Sequence, residues 1–297
     1  MKKRLRVLIS IFILIITATV FSLYISKHLD LIRELRHIKL EVLIGILLLY
    51  ILWFFSLVLV FKISMRVCKK SIPPDESLLL NGYSTIVNFF VLGQSGPAVR
   101  ALYLYKKYRL RIRVFLLVTL LYYVSYAIIS TSLLLIPSKV WWLTFPIVAV
   151  ILSLAGIGSW FYIKRSKILG SELSINATNV TYLFFATLLQ VFILTLIYYV
   201  ELKAVNSHLL FKQVIMYTGV ANLTLFVSLT PGGIGIRESL LIFSEHLHKI
   251  SSANIVSASI IDRSIFLLLL TILFIVIISL HAKKRLFGKQ NISTNNT

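Results

Sequence analysis

Long apolar runs, each separated from the next by a short polar segment, fill almost the whole chain. A helix needs about 20 consecutive apolar residues to cross the hydrocarbon core of a bilayer, and six of these runs reach about that length. The predicted membrane-spanning helices are 7–25, 42–61, 114–136, 140–163, 181–200 and 255–280. This pattern predicts an all-α polytopic membrane protein.

Two further apolar stretches, at 77–92 and 214–229, are shorter and end in segments that contain Gly and Pro. Each break is followed by another short helical stretch. Gly permits positive φ angles and Pro ends a helix, so each stretch is predicted to turn back within the membrane. We therefore predict two re-entrant helical hairpins, 77–108 and 214–248. The alternative is a pair of amphipathic surface helices that carry similar breaks.

The second half of the chain repeats the first at an offset of 137 residues. This offset places the hairpins on one another, with Gly96 on Gly233 and Arg100 on Arg237, and places three predicted spans on three others. Both halves, 1–137 and 138–297, then consist of two spans, a hairpin and a span. The second half begins on the opposite side of the membrane. The prediction is an inverted-topology repeat, in which broken helices meet near the membrane centre.

The distribution of charge gives the predicted orientation. The chain is 58% hydrophobic, and its net charge of +21 comes from 31 basic and 10 acidic residues. With both termini in the cytoplasm, 21 basic residues lie in cytoplasmic segments, 8 in external segments, and Arg237 and Arg263 in the membrane. This bias is typical of a multi-pass protein of a prokaryotic cytoplasmic membrane, and it argues against nucleic-acid binding.

The segment 230–238, Thr-Pro-Gly-Gly-Ile-Gly-Ile-Arg-Glu, is the sharpest candidate site. A helix that restarts after the glycines would direct its unpaired N–H groups at the turn, where an anion such as phosphate binds well. The first hairpin repeats this arrangement with Gly96 and Arg100. The alternative is that the glycines only permit close packing and that Arg237 and Glu238 form a structural pair. The candidates for headgroup binding in this segment are Gly232, Gly233, Gly235, Arg237 and Glu238.

Asp262 and Arg263 lie within the last predicted span, where ionisable residues are costly and often functional. A salt bridge at the rim of the membrane is the alternative, and Glu238 could pair with Arg263 across helices. Asn222 is a further site candidate, in the second hairpin. Interhelical hydrogen bonding is expected for the other polar groups on apolar helices, such as Gln190.

No arrangement of Ser, His and Asp or of Cys and His, and no P-loop, is present in the sequence. The single cysteine, Cys68, excludes an intramolecular disulfide, and no cluster has the spacing of a zinc site. Clusters of Tyr and Trp near the ends of spans, such as 122–123, 141–142 and 198–199, are expected to be interfacial anchors. We expect a protein that is not an enzyme and that holds neither a metal nor a cofactor.

The segment 231–238, with 93–100 upstream and Arg263 in the last span, resembles the lysylphosphatidylglycerol synthase transmembrane region family. That family includes the flippase part of the multiple peptide resistance factor and stand-alone members, some of them encoded near glycosyltransferases. The resemblance covers nearly the whole chain. It implies movement of a lipid between leaflets, with Arg237, Glu238 and Arg263 as the matching positions. The soluble synthase domain that follows the membrane part elsewhere in the family is absent, so lysine transfer is not expected.

The sequence therefore favours a flippase or scramblase for a phosphate-bearing lipid, either a phospholipid or a polyprenyl-linked one, with an anionic headgroup. Two alternatives stay open. One is a secondary transporter of small anions or other solutes. The other is a membrane partner of a glycosyltransferase or a lipid-modifying enzyme. The sequence gives no oligomeric state.

Overall fold

The computed structural model describes residues 38–91, 95–138, 140–164, 173–174, 176–227, 230–233 and 235–293. Within these residues all regular structure is helical and no strand occurs. The predicted span 7–25 lies outside the described residues.

Ten α-helices make up the described part of the chain. They are α1 (Leu40–Val67), α2 (Pro74–Phe90), α3 (Ser95–Tyr108), α4 (Ile112–Leu135), α5 (Thr144–Lys164), α6 (Ala177–Val205), α7 (Phe211–Leu223), α8 (Ile236–Phe243), α9 (Glu245–His248) and α10 (Ser252–Ser293). Short helical turns lie at Trp141–Leu143, Thr224–Phe226 and Pro231–Gly233.

Four of the described helices are long and apolar enough to cross a membrane: α1, α4, α6 and the part Ser252–Leu280 of α10. They coincide with the predicted spans 42–61, 114–136, 181–200 and 255–280, each within a few residues at its start. The run 140–163 is helical from Thr144 onward, after the turn at Trp141–Leu143, but it is not among the four. Four of the six predicted spans thus have a matching helix, and the total of six stays a prediction.

The described helices bury many polar side chains together with an apolar core, and they expose many large apolar side chains, unlike a water-soluble bundle. On α1, an exposed apolar stripe recurs every three or four residues, at Leu40, Ile44, Leu48, Leu52, Phe55 and Leu59. The buried residues include Ser84, Asn222 and Asp262. In hydrocarbon, polar groups need partners inside the protein, whereas aliphatic side chains contact lipid at no cost. This surface is that of an integral membrane protein.

Helices from the two halves of the chain pack against one another. The most extensive contact joins α1 and α6, and the next joins α4 and α7. In the second contact, Gly219 lies so close to α4 that a Cβ atom would stand 2.6 Å from the backbone nitrogen of Leu134. Gly82 on α2 faces Ile277 of α10, where a Cβ would lie 3.1 Å from a side-chain carbon.

Each predicted hairpin has its two ends joined by a hydrogen bond. Glu76, at the start of α2, accepts one from Lys107 near the end of α3 at 2.5 Å. Gln213, in the first turn of α7, donates one from Nε2 to the carbonyl oxygen of Lys249, just after α9, at 2.9 Å. The start and the end of each predicted hairpin therefore lie side by side, which places both breaks at the far end.

Candidate functional site

The second break is a turn that only glycine adopts readily. Gly232, Gly233 and Gly235 have φ angles of 59°, 70° and 82°, in the left-handed region. The turn packs against α2, and a Cβ atom on Gly232 would stand 2.9 Å from the ring of Phe89. Phe89 lies one residue before the end of α2, so the second break packs against the end of the helix that precedes the first break.

The first break is also closely packed. The backbone N–H of Gly96 donates to Oδ1 of Asn88 at 3.2 Å, and Ser95 Oγ donates to the carbonyl oxygen of Val87 at 3.1 Å. A Cβ atom at Gly96 would lie 2.9 Å from the carbonyl oxygen of Ser84. Glycine is required here because α3 begins against the backbone of α2.

Arg237 is joined to α10 by an ion pair. Its Nη1 donates to Oδ2 of Asp262 at 2.6 Å, and the hydroxyl of Tyr50 on α1 donates to the other oxygen of Asp262. The guanidinium lies over the ring of Tyr198, 5.2 Å from the centroid, which is a cation–π distance. Nε and Nη2 of Arg237 are buried without a hydrogen-bond partner. The cation thus has a full counter-charge and unused donors.

A second ion pair lies next to the first one. Arg263 Nη2 donates to Oε1 of Glu238 at 3.1 Å, and its Nη1 donates to the carbonyl oxygen of Gly232 at 2.5 Å. The other carboxylate oxygen of Glu238 accepts from the backbone N–H of Gly235 at 2.8 Å. Glu238 therefore caps the start of α8 and neutralises Arg263, which in turn binds the glycine turn.

These groups surround a cavity of about 250 Å³ between the two breaks. Three arginines line it, Arg100, Arg237 and Arg263, together with Asp262. Its other polar and aromatic lining includes Tyr50, Trp53, Ser84, Thr85, Asn88, Tyr122, Tyr123, Tyr126, Gln190, Tyr198, Asn222, Thr224 and Thr230. The volume lies just below the roughly 300–1,000 Å³ of typical small-molecule sites. The cavity can hold a small headgroup but not acyl chains.

Arg100 reaches the cavity from the first hairpin. Its guanidinium carbon lies 5.9 Å from the ring centroid of Phe61, and its Nε is buried without a hydrogen-bond partner. No ion pair between Arg100 and a carboxylate occurs within the described part of the chain. It differs in this respect from the other two arginines of the cavity.

The family model of the lysylphosphatidylglycerol synthase TM region matches residues 5–273. The chain belongs to this family. No individual curated protein matches it. Membership in the lysylphosphatidylglycerol synthase TM region family confirms the resemblance inferred from the motifs and indicates a role related to membrane lipids.

Most of the site residues predicted for this family member lie together. Arg100, Asn222, Gly232, Gly233, Arg237, Asp262 and Arg263 line the cavity. Gly96, Gly235 and Glu238 are not in its lining, although each contacts residues beside it. The pairing of Glu238 with Arg263 is confirmed. The alternative pairing of Arg237 with Glu238 is wrong, because Arg237 binds Asp262.

One further expectation needs correction. Tyr122, Tyr123 and Tyr198 are not interfacial anchors, because they line the cavity. Tyr122 donates a hydrogen bond to Gln190 at 3.2 Å, which confirms the interhelical role expected of Gln190. A tyrosine combines an apolar ring with a hydroxyl, so it suits a polar cavity as well as an interface.

Sequence reasoning missed two residues beside the Arg237–Asp262 pair. Tyr50 donates to Asp262 from α1, and nothing in its sequence context distinguishes it from an apolar helix residue. The predicted span 181–200 ends just before Glu201, but α6 continues to Val205 and leaves Glu201 only 1% exposed. Its spacing of three residues from Tyr198 could have indicated a shared helix face.

Proposed function

We propose that this protein moves a phosphate-bearing lipid between the leaflets of the prokaryotic cytoplasmic membrane. In this proposal the headgroup enters the cavity between the hairpins while the acyl chains stay in the surrounding hydrocarbon. The transported lipid is a phospholipid or a polyprenyl-linked lipid. A role without catalysis, metal or cofactor is part of the proposal.

The observation that carries the proposal is the cavity itself. It combines arginines, hydroxyls and amides inside a bundle whose outer surface is apolar. Charged residues within membrane segments are costly and usually mark a path for a polar or charged substrate. A polar headgroup crossing the bilayer needs such a path, and the family indicates a lipid-related role.

The proposed architecture is an inverted repeat of halves 1–137 and 138–297 with two re-entrant hairpins. The packing supports it, since α1 and α6, which correspond at the 137-residue offset, form the largest contact. The first helix of each hairpin also packs on the last helix of the other half: α2 on α10, and α7 on α4. The joined hairpin ends support re-entry from one side each.

Cysteine labelling tests this topology. Cys68 is buried and is a poor reporter, so it is first replaced by Ser. Ser71 and Ser207 are exposed, in the loops before α2 and before α7. In intact cells, an impermeant maleimide should label Ser207→Cys but label Ser71→Cys only after the membrane is opened. Labelling of both from outside would contradict the inverted arrangement.

Lipid movement is tested with purified protein in liposomes that contain phosphatidylglycerol labelled with a fluorophore on one acyl chain, so that the headgroup is unmodified. An impermeant reductant bleaches the outer leaflet only, so transport appears as loss of the protected half of the signal. We expect faster loss with protein than without it. An unchanged rate in liposomes shown to contain folded protein would refute the proposal.

A pair of matched variants ties transport to the cavity. Leu225 lines the cavity, whereas Leu188 of α6 is 40% exposed on the apolar surface. Leu225→Trp should slow lipid movement because the indole fills the cavity, while Leu188→Trp adds the same volume facing lipid and should leave the rate unchanged. Equal effects of both would place the path outside the cavity.

A further inference from the structure

The three arginines that line the cavity differ in whether a carboxylate pairs with them. Arg237 lies 2.6 Å from Asp262, and Arg263 lies 3.1 Å from Glu238, so each arginine of the second half that lines the cavity has a paired carboxylate. For Arg100, no carboxylate of the described residues forms such a pair. Among the described residues, the positive charge on the side of the first hairpin is therefore the one in the cavity without a paired carboxylate.

The sequence explains this difference. At the 137-residue offset, the positions that match Glu238 and Asp262 are Ala101 and Ser125. The first half therefore repeats Arg237 as Arg100 but has no counterpart of Asp262, the partner of Arg237, or of Glu238. Ser125 instead donates its hydroxyl to the carbonyl oxygen of Leu121, within α4.

The two helices that follow the breaks also differ in the charge of the group that caps their N-termini. The start of α8 is capped by the Glu238 carboxylate, which binds the N–H of Gly235. The start of α3 is capped by the neutral amide of Asn88, which binds the N–H of Gly96. A helix N-terminus carries a partial positive charge, so its field is neutralised at α8 but persists at α3.

We propose that the phosphate of the lipid headgroup binds to Arg100, on the first hairpin, rather than to Arg237 in the glycine-rich segment. This inference rests on the proposed function and names the chemistry of its substrate, an anionic phosphodiester or phosphomonoester. Arg100 is partly buried. A cation that loses water without gaining a counter-ion is unfavourable, and an incoming phosphate supplies the missing charge. Arginine suits it because the guanidinium offers several donors to phosphate oxygens.

The neighbours of Arg100 support an anion at this place. Tyr122 and Tyr123 line the same cavity and carry hydroxyl groups, and Asn88 and Gln190 carry amides. Arg237 and Arg263 already have full counter-charges, so an anion at either one would add a negative charge beside a carboxylate. Binding at Arg100 breaks no ion pair.

Binding is tested on the purified full chain in a neutral detergent. The probes are dioctanoyl phosphatidylglycerol, which is anionic, dioctanoyl phosphatidylcholine, whose headgroup is zwitterionic, and glycerol 1-phosphate, which lacks acyl chains. Dissociation constants are measured by thermophoresis. We expect Arg100→Gln to weaken phosphatidylglycerol binding at least about ten-fold, since a charge-assisted hydrogen bond is lost. Arg100→Lys should retain part of the affinity.

Two control variants make the assignment specific. Arg113 is an exposed arginine near the start of α4, and Arg113→Gln tests whether loss of any nearby positive charge weakens binding. The double variant Arg237→Gln with Asp262→Asn removes one ion pair and leaves the local net charge unchanged. We expect both to weaken binding less than Arg100→Gln does. A larger loss in the double variant would place the phosphate on the second hairpin and overturn the inference.

The two proposals can fail separately. Wild-type lipid movement that is unaffected in Arg100→Gln would overturn the inference and leave the proposed function standing. Arg100-dependent binding of phosphatidylglycerol without lipid movement would support the phosphate site and overturn the proposed function. Equal affinity for glycerol 1-phosphate and phosphatidylglycerol would support the phosphate site with a water-soluble phosphate ester as its ligand.

Discussion

In the second hairpin, Arg237 is paired with Asp262 and the start of α8 is capped by Glu238. In the first hairpin, Arg100 has no such pair within the described residues, and the start of α3 is capped by neutral Asn88. The two hairpins align with one another at an offset of 137 residues, and Gly232 in the second break contacts Phe89 near the end of α2.

This difference shows that a repeated arginine need not keep one role in both halves. In the second half, the arginines pair with carboxylates, and Arg263 also binds the glycine turn. These contacts hold the segment 230–238 in place beside the cavity. In the first half the arginine keeps its charge available for a ligand. The more recognisable motif is therefore expected to be structural, and the looser one to bind the phosphate.

The largest expected effect comes from removing the Arg237–Asp262 ion pair of the second hairpin. Asp262→Asn keeps the size of the side chain but leaves Arg237 without its counter-charge. Removing one partner of a buried pair costs about 3–5 kcal/mol. We expect the free energy of unfolding in mixed micelles to fall by this amount, whereas Arg100→Gln should not lower it. Equal destabilisation by both would show that Arg100 also has a structural partner.

The matched glycines Gly219 and Gly82 should differ as well. A Cβ atom at Gly219 meets the backbone of α4 at 2.6 Å, while at Gly82 it meets the flexible end of Ile277 at 3.1 Å. We expect Gly219→Ala to cost about 2–3 kcal/mol of unfolding free energy and Gly82→Ala less than about 1 kcal/mol. Thermal unfolding in detergent would rank them, and a reversed order would contradict the described packing.

Ser125→Asp sharpens the comparison by giving the first half the carboxylate of the second. If the new carboxylate neutralises Arg100, affinity for dioctanoyl phosphatidylglycerol should fall about ten-fold, because the anion then competes with it. Ser125→Asn, of the same size and without charge, serves as the control. Unchanged affinity in the aspartate variant, with the protein folded, would argue against Arg100 as the anchor.

The smallest expected effect concerns the ends of the first hairpin. Burial raises the pKa of Glu76, but hydrogen bonds from Lys107 and Tyr103 outweigh it and hold the pKa below its usual 4.5. A carboxyl group whose pKa is lowered by folding stabilises the folded protein at pH values above its usual pKa. This contribution is lost as the pH falls through the folded-state pKa. Because the Lys107 side chain is 52% exposed, solvent screens the pair, and we expect less than about 1 kcal/mol.

The measurement is the unfolding free energy at pH 7 and at pH 3.5 for the wild type and for Glu76→Gln. The wild type should lose slightly more stability on acidification than the variant. An equal pH dependence would mean that the hydrogen bonds of Glu76 do not contribute to stability.

Much of the fold follows from hydrophobic runs, because run length reports directly on the thickness of the bilayer. The hydrophobic runs predict the ends of the helices less accurately. The run 42–61 predicts α1, but the helix continues to Val67, since Met65 and Val67 are buried against other protein residues rather than against lipid. The same reason explains why α6 extends past Glu201.

The composition of the site was also predictable in part, because ionisable residues in apolar spans and glycines at breaks stand out. Their pairing was not. Asp262 and Arg263 are adjacent in sequence yet bind different partners, since successive helix residues point about 100° apart. Which partner each one meets depends on how α8 and α1 are rotated against α10, and tertiary packing sets that rotation.

The close approach of Gly219 to α4 has a mechanical consequence. Two helices whose backbones touch cannot slide past one another, so α7 and α4 should move as a single rigid body. The corresponding seam between α2 and α10 is filled by the end of a side chain, which can change rotamer and let the helices shift. If transport involves rocking, a cross-link across the α2–α10 seam should arrest lipid movement, while one across α7–α4 should not.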